Sequence, residues 1–129
     1  MHRMTMRGGA GLAAIATLAL SFSLTGLAAA QGKSRLVDCR VESEGKVQVS
    51  GKCRFTPDEG GSFTLEHADP NRTIFFGEIM SVTVSIVSPG AAEVRGLTRQ
   101  GVNSRWGEAK RSPQDRACWQ GSDFKICAR

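Results

Sequence analysis

Val37-Asp38-Cys39-Arg40-Val41-Glu42-Ser43-Glu44-Gly45-Lys46-Val47-Gln48-Val49-Ser50-Gly51-Lys52-Cys53-Arg54-Phe55 is the stretch that decides the fold. Val37, Cys39 and Val41, then Val47, Val49, Cys53 and Phe55, share one side of a period-two alternation. Asp38, Arg40 and Glu42, then Gln48, Ser50, Lys52 and Arg54, share the other. Side chains alternate faces along a strand, so this pattern predicts two half-buried strands joined at a turn near Glu44-Gly45. Both cysteines fall on the apolar face, where a Cys39–Cys53 bridge can sit in the core. Register constrains that bridge. A tight three-residue turn sets Cys39 opposite Gly51 and leaves Cys53 diagonal, too far to bridge easily. A direct Cys39–Cys53 pairing needs a wider loop or a bulge, for which Gly51 is the natural site.

The same reading extends along the chain. Pro57-Asp58-Glu59-Gly60-Gly61 is a turn, and residues 62–67 alternate again with Phe63 and Leu65 on one side. Asp69-Pro70-Asn71 turns the chain before a short apolar strand at 73–76. Residues 81–87 form the clearest strand, with Val82, Val84 and Ile86 inward and Thr83 and Ser85 outward. Ser88-Pro89-Gly90 reverses it, and 92–97 returns. Residues 99–116 read as polar and irregular, apart from a helix start at Ser112-Pro113-Gln114-Asp115, with a serine cap, proline first and an acid third. A final hairpin with Ser122-Asp123 at its tip sets Cys118 opposite Cys127 and Trp119 opposite Ile126, with Trp119, Phe124 and Ile126 on one face. Of three possible pairings, spacing favours Cys39–Cys53 and Cys118–Cys127. The expectation is one all-β domain: an antiparallel barrel or sandwich of six to eight short strands, two local disulfides and one short helical turn.

The first 30 residues have the parts of a secretory signal: His2, Arg3 and Arg7, then an apolar run from Ala10 to Leu20, then Ala28-Ala29-Ala30 before a mature start at Gln31. The rival, an uncleaved anchor, has an apolar stretch only just long enough and diluted by Ser, Thr and Gly. Leu27 stands where a lipoprotein signal has its cysteine. The expected domains are a signal peptide at 1–30 and a β domain at 31–129, with no stable membrane anchor after cleavage. About 99 residues then remain, too few for a large core. Four cysteines in such a chain predict disulfides and a periplasmic or secreted location.

Removing Arg3 and Arg7 from the 17 basic side chains leaves 15 against 12 acidic, a net +3. Residues 31–93 carry 7 basic and 9 acidic groups, whereas 94–129 carry 8 and 3. The last third is thus cationic on a nearly neutral body. In an exported protein this charge points away from nucleic acid and towards anionic glycans, lipid head groups or an acidic protein surface.

Catalytic and metal chemistry find little support. One histidine, His67, follows the leader, and the cysteine spacings are not those of a zinc site, so no metal or cofactor is expected. There is no G-x-S-x-G elbow and no C-x-x-C pair. His67 and Glu66 are the residues a small hydrolase would have to use. Asn71-Arg72-Thr73 fits the short N-glycosylation pattern. The best candidate for function is Arg105, Trp106, Lys110, Arg111 and Arg116, with Trp119: guanidinium forks beside large aromatic area are the chemistry of a binding anchor. The opposing reading makes Trp106 a core plug, Trp119 a packing residue of its hairpin, and the cations a solvated loop.

The strings Ser104-Arg105-Trp106-Gly107, Ala117-Cys118-Trp119 and Ile126-Cys127-Ala128, with the Cys39 to Cys53 hairpin and Gly61-Ser62-Phe63, resemble small exported proteins of alphaproteobacteria. The resemblance spans most of the mature chain. It implies an exported compartment and a disulfide pattern, and brings no activity with it. The likeness to periplasmic lysozyme inhibitors, also small disulfide-tied barrels, is one of architecture, since their inhibitory motif is not found here. The expected function is a non-catalytic exported binding or inhibitor-like protein that contacts an envelope glycan or protein through the 105–116 loop. The alternatives are a passive structural envelope protein and a small hydrolase.

Overall fold

A computed structural model describes residues 32–129, together with 8–9, 11–16 and 19. The cleavage segment at Ala28-Ala29-Ala30 and Gln31 lies outside the described residues. Eight strands follow in order: β1 (Arg35–Ser43), β2 (Lys46–Pro57), β3 (Phe63–His67), β4 (Ile79–Ser88), β5 (Ala91–Thr98), β6 (Asn103–Arg111), β7 (Cys118–Gln120) and β8 (Phe124–Ala128). Each pairs antiparallel with the next, and β8 returns to β1, so the sheet closes into a barrel in simple chain order. Closure leaves no whole strand at an edge, although β6 meets the short β7 only through Lys110 and Arg111. Barrel rather than sandwich is therefore the architecture.

An eight-stranded barrel is about wide enough for its own side chains to fill. Val37, Cys39 and Val41 of β1, Cys53 of β2, Phe63 and Leu65, Val82 and Val84, Ala92 and Val94, Ala109, Trp119, Phe124 and Ile126 fill it. Each fully buried large apolar side chain contributes roughly 1.5–3 kcal/mol. The period-two readings of β1, β3, β4 and the last hairpin agree with this interior, and Cys118 pairs with Cys127 and Trp119 with Ile126. In β2 the expectation fails at Val47, which pairs with Glu42 and is 47% exposed.

The first hairpin corrects the expected register: neither a wider loop nor a bulge at Gly51 sets Cys39 opposite Cys53. Its turn has two residues, Glu44 (φ 52°) and Gly45 (φ 74°), both left-handed as such a turn requires. Glu42 pairs with Val47 but Val41 with Val49, so Gln48 is a bulge. Cys39 then faces Gly51, and Cys53 faces Val37. The diagonal disulfide nevertheless forms, across a Cα–Cα distance of 5.8 Å. Strand twist shortens one diagonal of an antiparallel pair and lengthens the other, which the flat estimate neglects. The second bridge joins Cys118 and Cys127.

Three local expectations are corrected. Residues 73–76 are not a strand; only Phe76 makes a single bridge, to Ile79. Residues 99–116 are not an irregular loop, because they contain the nine-residue β6. Its pattern hides it. Only Trp106 and Ala109 are apolar, and a bulge at Trp106 breaks the alternation: Val94 pairs with Gly107 but Arg95 with Arg105. Ser112 to Asp115 is not a helix. The Ser112 hydroxyl does accept the Asp115 N–H at 3.3 Å, as a cap would. Yet the Asp115 carboxylate takes the Ala117 N–H, and the Ser112 N–H already donates to the Cys118 carbonyl, which turns the chain back. The helical turn present is a 3-10 turn at Glu59–Gly61, capped by Asp58.

Candidate functional site

The strand β6 runs between the two ends of the barrel, and that separates the residues grouped by sequence. Arg105 and Trp106 lie near one end, beside the Glu44-Gly45 and Ser122-Asp123 turns. Lys110, Arg111 and Arg116 lie near the other, with Trp119 buried beneath Arg111. The single Arg–Trp loop is thus two sites of different chemistry.

The first is a cup of about 390 Å³ at the mouth of the barrel. Trp106, Phe76, Phe124 and Ile79 form its apolar wall. The Trp106 ring meets Phe76 edge-on at 6.1 Å and Phe124 at 5.7 Å between centroids. Trp106 is therefore both packed against the core and accessible from the mouth. Glu44, Glu78 and Asp123 stand on the rim. The Glu44 N–H donates to the Asp123 carbonyl at 3.0 Å and ties the two turns side by side. Arg105 also borders the cup, but its Nε faces Glu93 at 3.4 Å on the outer wall.

The second is a cleft of about 500 Å³ between the 112–115 loop and the ends of β6, β7 and β8. Pairing of Lys110 with Gln120, and of Gln120 with Lys125, lays these three side chains in a row across the outer surface. Arg111 borders the same cleft. Its guanidinium carbon sits 4.5 Å from the Trp119 ring centroid, and its Nη1 donates to the Arg116 carbonyl at 3.1 Å. Stacking and this hydrogen bond hold Arg111 in place. Trp119 is 2% exposed, so it acts from beneath as support. Among the described residues, Lys110, Arg111, Arg116 and Lys125 make no ion pair. The nearby acid, Asp115, is taken up by Arg129. That guanidinium, then the Ala117 N–H, holds the Asp115 carboxyl below its ordinary pKa. Asp115 thus stays ionised and neutralised by its partner, and the cleft keeps an excess of positive charge.

Lys125, Phe76, Phe124 and the rim acids were not singled out from sequence. Lys125 could have been, because the predicted hairpin register already sets it beside Gln120 on the outer face. Phe76 could not, because only the 67–79 loop brings it to Trp106. His67 Nδ1 accepts the Asp69 N–H at 2.9 Å, Glu66 is an exposed β3 residue, and the Ser62 hydroxyl accepts the Ile86 N–H. Among the described residues no group of three potential metal ligands occurs. No known protein family matches the chain, and neither a curated protein nor a solved structure matches it.

Proposed function

We propose that this chain is a periplasmic or secreted, non-catalytic binding protein whose 110–125 cleft takes anionic groups of an envelope glycan or of an acidic protein surface. The observation that carries this reading is the convergence of Lys110, Arg111 and Lys125, none of them in an ion pair among the described residues, on one cleft lined also by Asp115, Gln120 and Ser112. Carboxylates and sulfates need both charge and hydrogen-bond donors, and this surface has both. The two disulfides support an oxidising compartment. Three cations of the last third, Lys110, Arg111 and Lys125, border this cleft, and Arg116 contributes the carbonyl that holds Arg111.

The test is calorimetric titration with acidic oligosaccharides and with a polyglutamate peptide, at low and at physiological salt. The double variant Lys110→Glu/Lys125→Glu should lose about tenfold or more in affinity, since two favourable contacts become repulsions. Added salt should weaken the parent protein's binding and spare the variant's residue of affinity. A passive envelope protein would show no saturable ligand, and that outcome, or equal affinity in parent and variant, would overturn the proposal.

A further inference from the structure

The cup at the opposite end has the reverse chemistry. We propose that it binds an organic cation, an ammonium group carried on a compact apolar body. The wall supplies the rings of Trp106 and Phe76, backed by the buried Phe124, and a ring presents negative potential at its face, which attracts a desolvated cation. Phe76 and Phe124 each meet Trp106 in tilted rather than parallel contact, so the rings form a concave corner and not a flat stack. The rim supplies the complementary charge. Glu44, Glu78 and Asp123 face the mouth in a chain whose net charge is +5. Among the described residues Glu44 and Asp123 have no ion pair, and Glu78 has only a loose one, 3.7 Å to the exposed Arg99. The one cation at the border, Arg105, is drawn to Glu93 on the outer wall.

Size and rigidity agree with that occupant. A cup of about 390 Å³ matches a ligand of small-molecule size. Its floor belongs to the barrel: Phe124 is buried on β8, and the Trp106 ring rests against Gly96, where an added Cβ would come within 2.7 Å of Nε1. The rings are therefore held before any ligand arrives, which lowers the ordering cost of binding. A neutral apolar guest would gain the aromatic wall but nothing from the carboxylates. An anion would meet like charge at the mouth.

The experiment is NMR titration of the full mature chain with phenyltrimethylammonium, its neutral isostere tert-butylbenzene, and benzoate. The Trp106 indole N–H and the amides of Ser122, Asp123 and Glu44 report the cup, and the Trp119 indole reports the other end. The ammonium should saturate the cup signals, the neutral isostere should bind about tenfold more weakly or less, and benzoate should leave the signals unmoved. The double variant Glu78→Gln/Asp123→Asn leaves the barrel interior untouched, and it should weaken ammonium binding about fivefold at low salt. Equal affinity for the cation and its isostere would overturn the proposal. So would saturation by benzoate, unchanged binding by the variant, or no saturable movement of the cup signals with any probe.

Discussion

Trp106 and Gly96 make a tight side-chain-to-backbone fit at the aromatic end. An added Cβ at Gly96 would sit 2.7 Å from Trp106 Nε1 and 3.3 Å from Ile79 Cδ1. The indole has little room to give, because Phe76 and Phe124 hold it from two sides. Gly96→Ala is therefore an overpacking change, and it should cost about 1–3 kcal/mol. Chemical denaturation followed by tryptophan emission checks this, and a shifted native emission would show that Trp106 is the group that moves. At the same scale, Arg111 and Trp119 were legible as types but not as a pair. The sequence shows a guanidinium and an indole eight positions apart. Their 4.5 Å stacking depends on Arg111 pairing with Trp119 across β6 and β7.

The first hairpin shows how element geometry settles what residues leave open. Its two-residue turn needs left-handed backbone at both positions, and Gly45 suits this while Glu44 does not. Glu44→Asn should raise stability by about 0.5–1 kcal/mol, because asparagine tolerates that conformation at lower cost. The denaturation midpoint reads the change, and an unaltered or lower midpoint would mean that the Glu44 side chain contributes a compensating interaction. If the cup takes a cation, the same variant weakens that binding while it stabilises the fold. Strand β6 is the opposite case, an element hidden from its own sequence. Its inward positions are filled by Trp106, Gly107, Ala109 and Arg111 in place of a run of apolar residues, and its bulge shifts the period. Pairing with β5 over seven positions makes it a strand regardless.

For the molecule as a whole, two short disulfide loops brace a small core. The bridges span sequence separations of 14 and 9. By the chain-entropy account each contributes roughly 3 kcal/mol, against a total stability of about 5–10 kcal/mol for a domain of this size. Reduction in denaturant followed by refolding with thiols blocked should leave a chain that melts far lower or does not fold. An unchanged melting curve would contradict the role of the bridges. All four cysteines are at most 4% exposed, so the native protein should resist mild reductant until it opens. The sequence by itself determined the all-β class, the inward faces of β1, β3, β4, β7 and β8 and the cationic last third, and its spacing favoured the two disulfide pairs that form. These follow from alternation and short spacing, which are local properties of a chain. Only the tertiary structure decided that the sheet closes as a barrel, that 103–111 is a strand, and that Arg105 and Trp106 part from Lys110, Arg111 and Arg116. Those outcomes rest on pairings between residues far apart in the chain, above all β8 with β1 and the Phe76 loop with Trp106. No local pattern encodes contacts of that kind, because each is selected by the closure of the whole sheet around one shared interior.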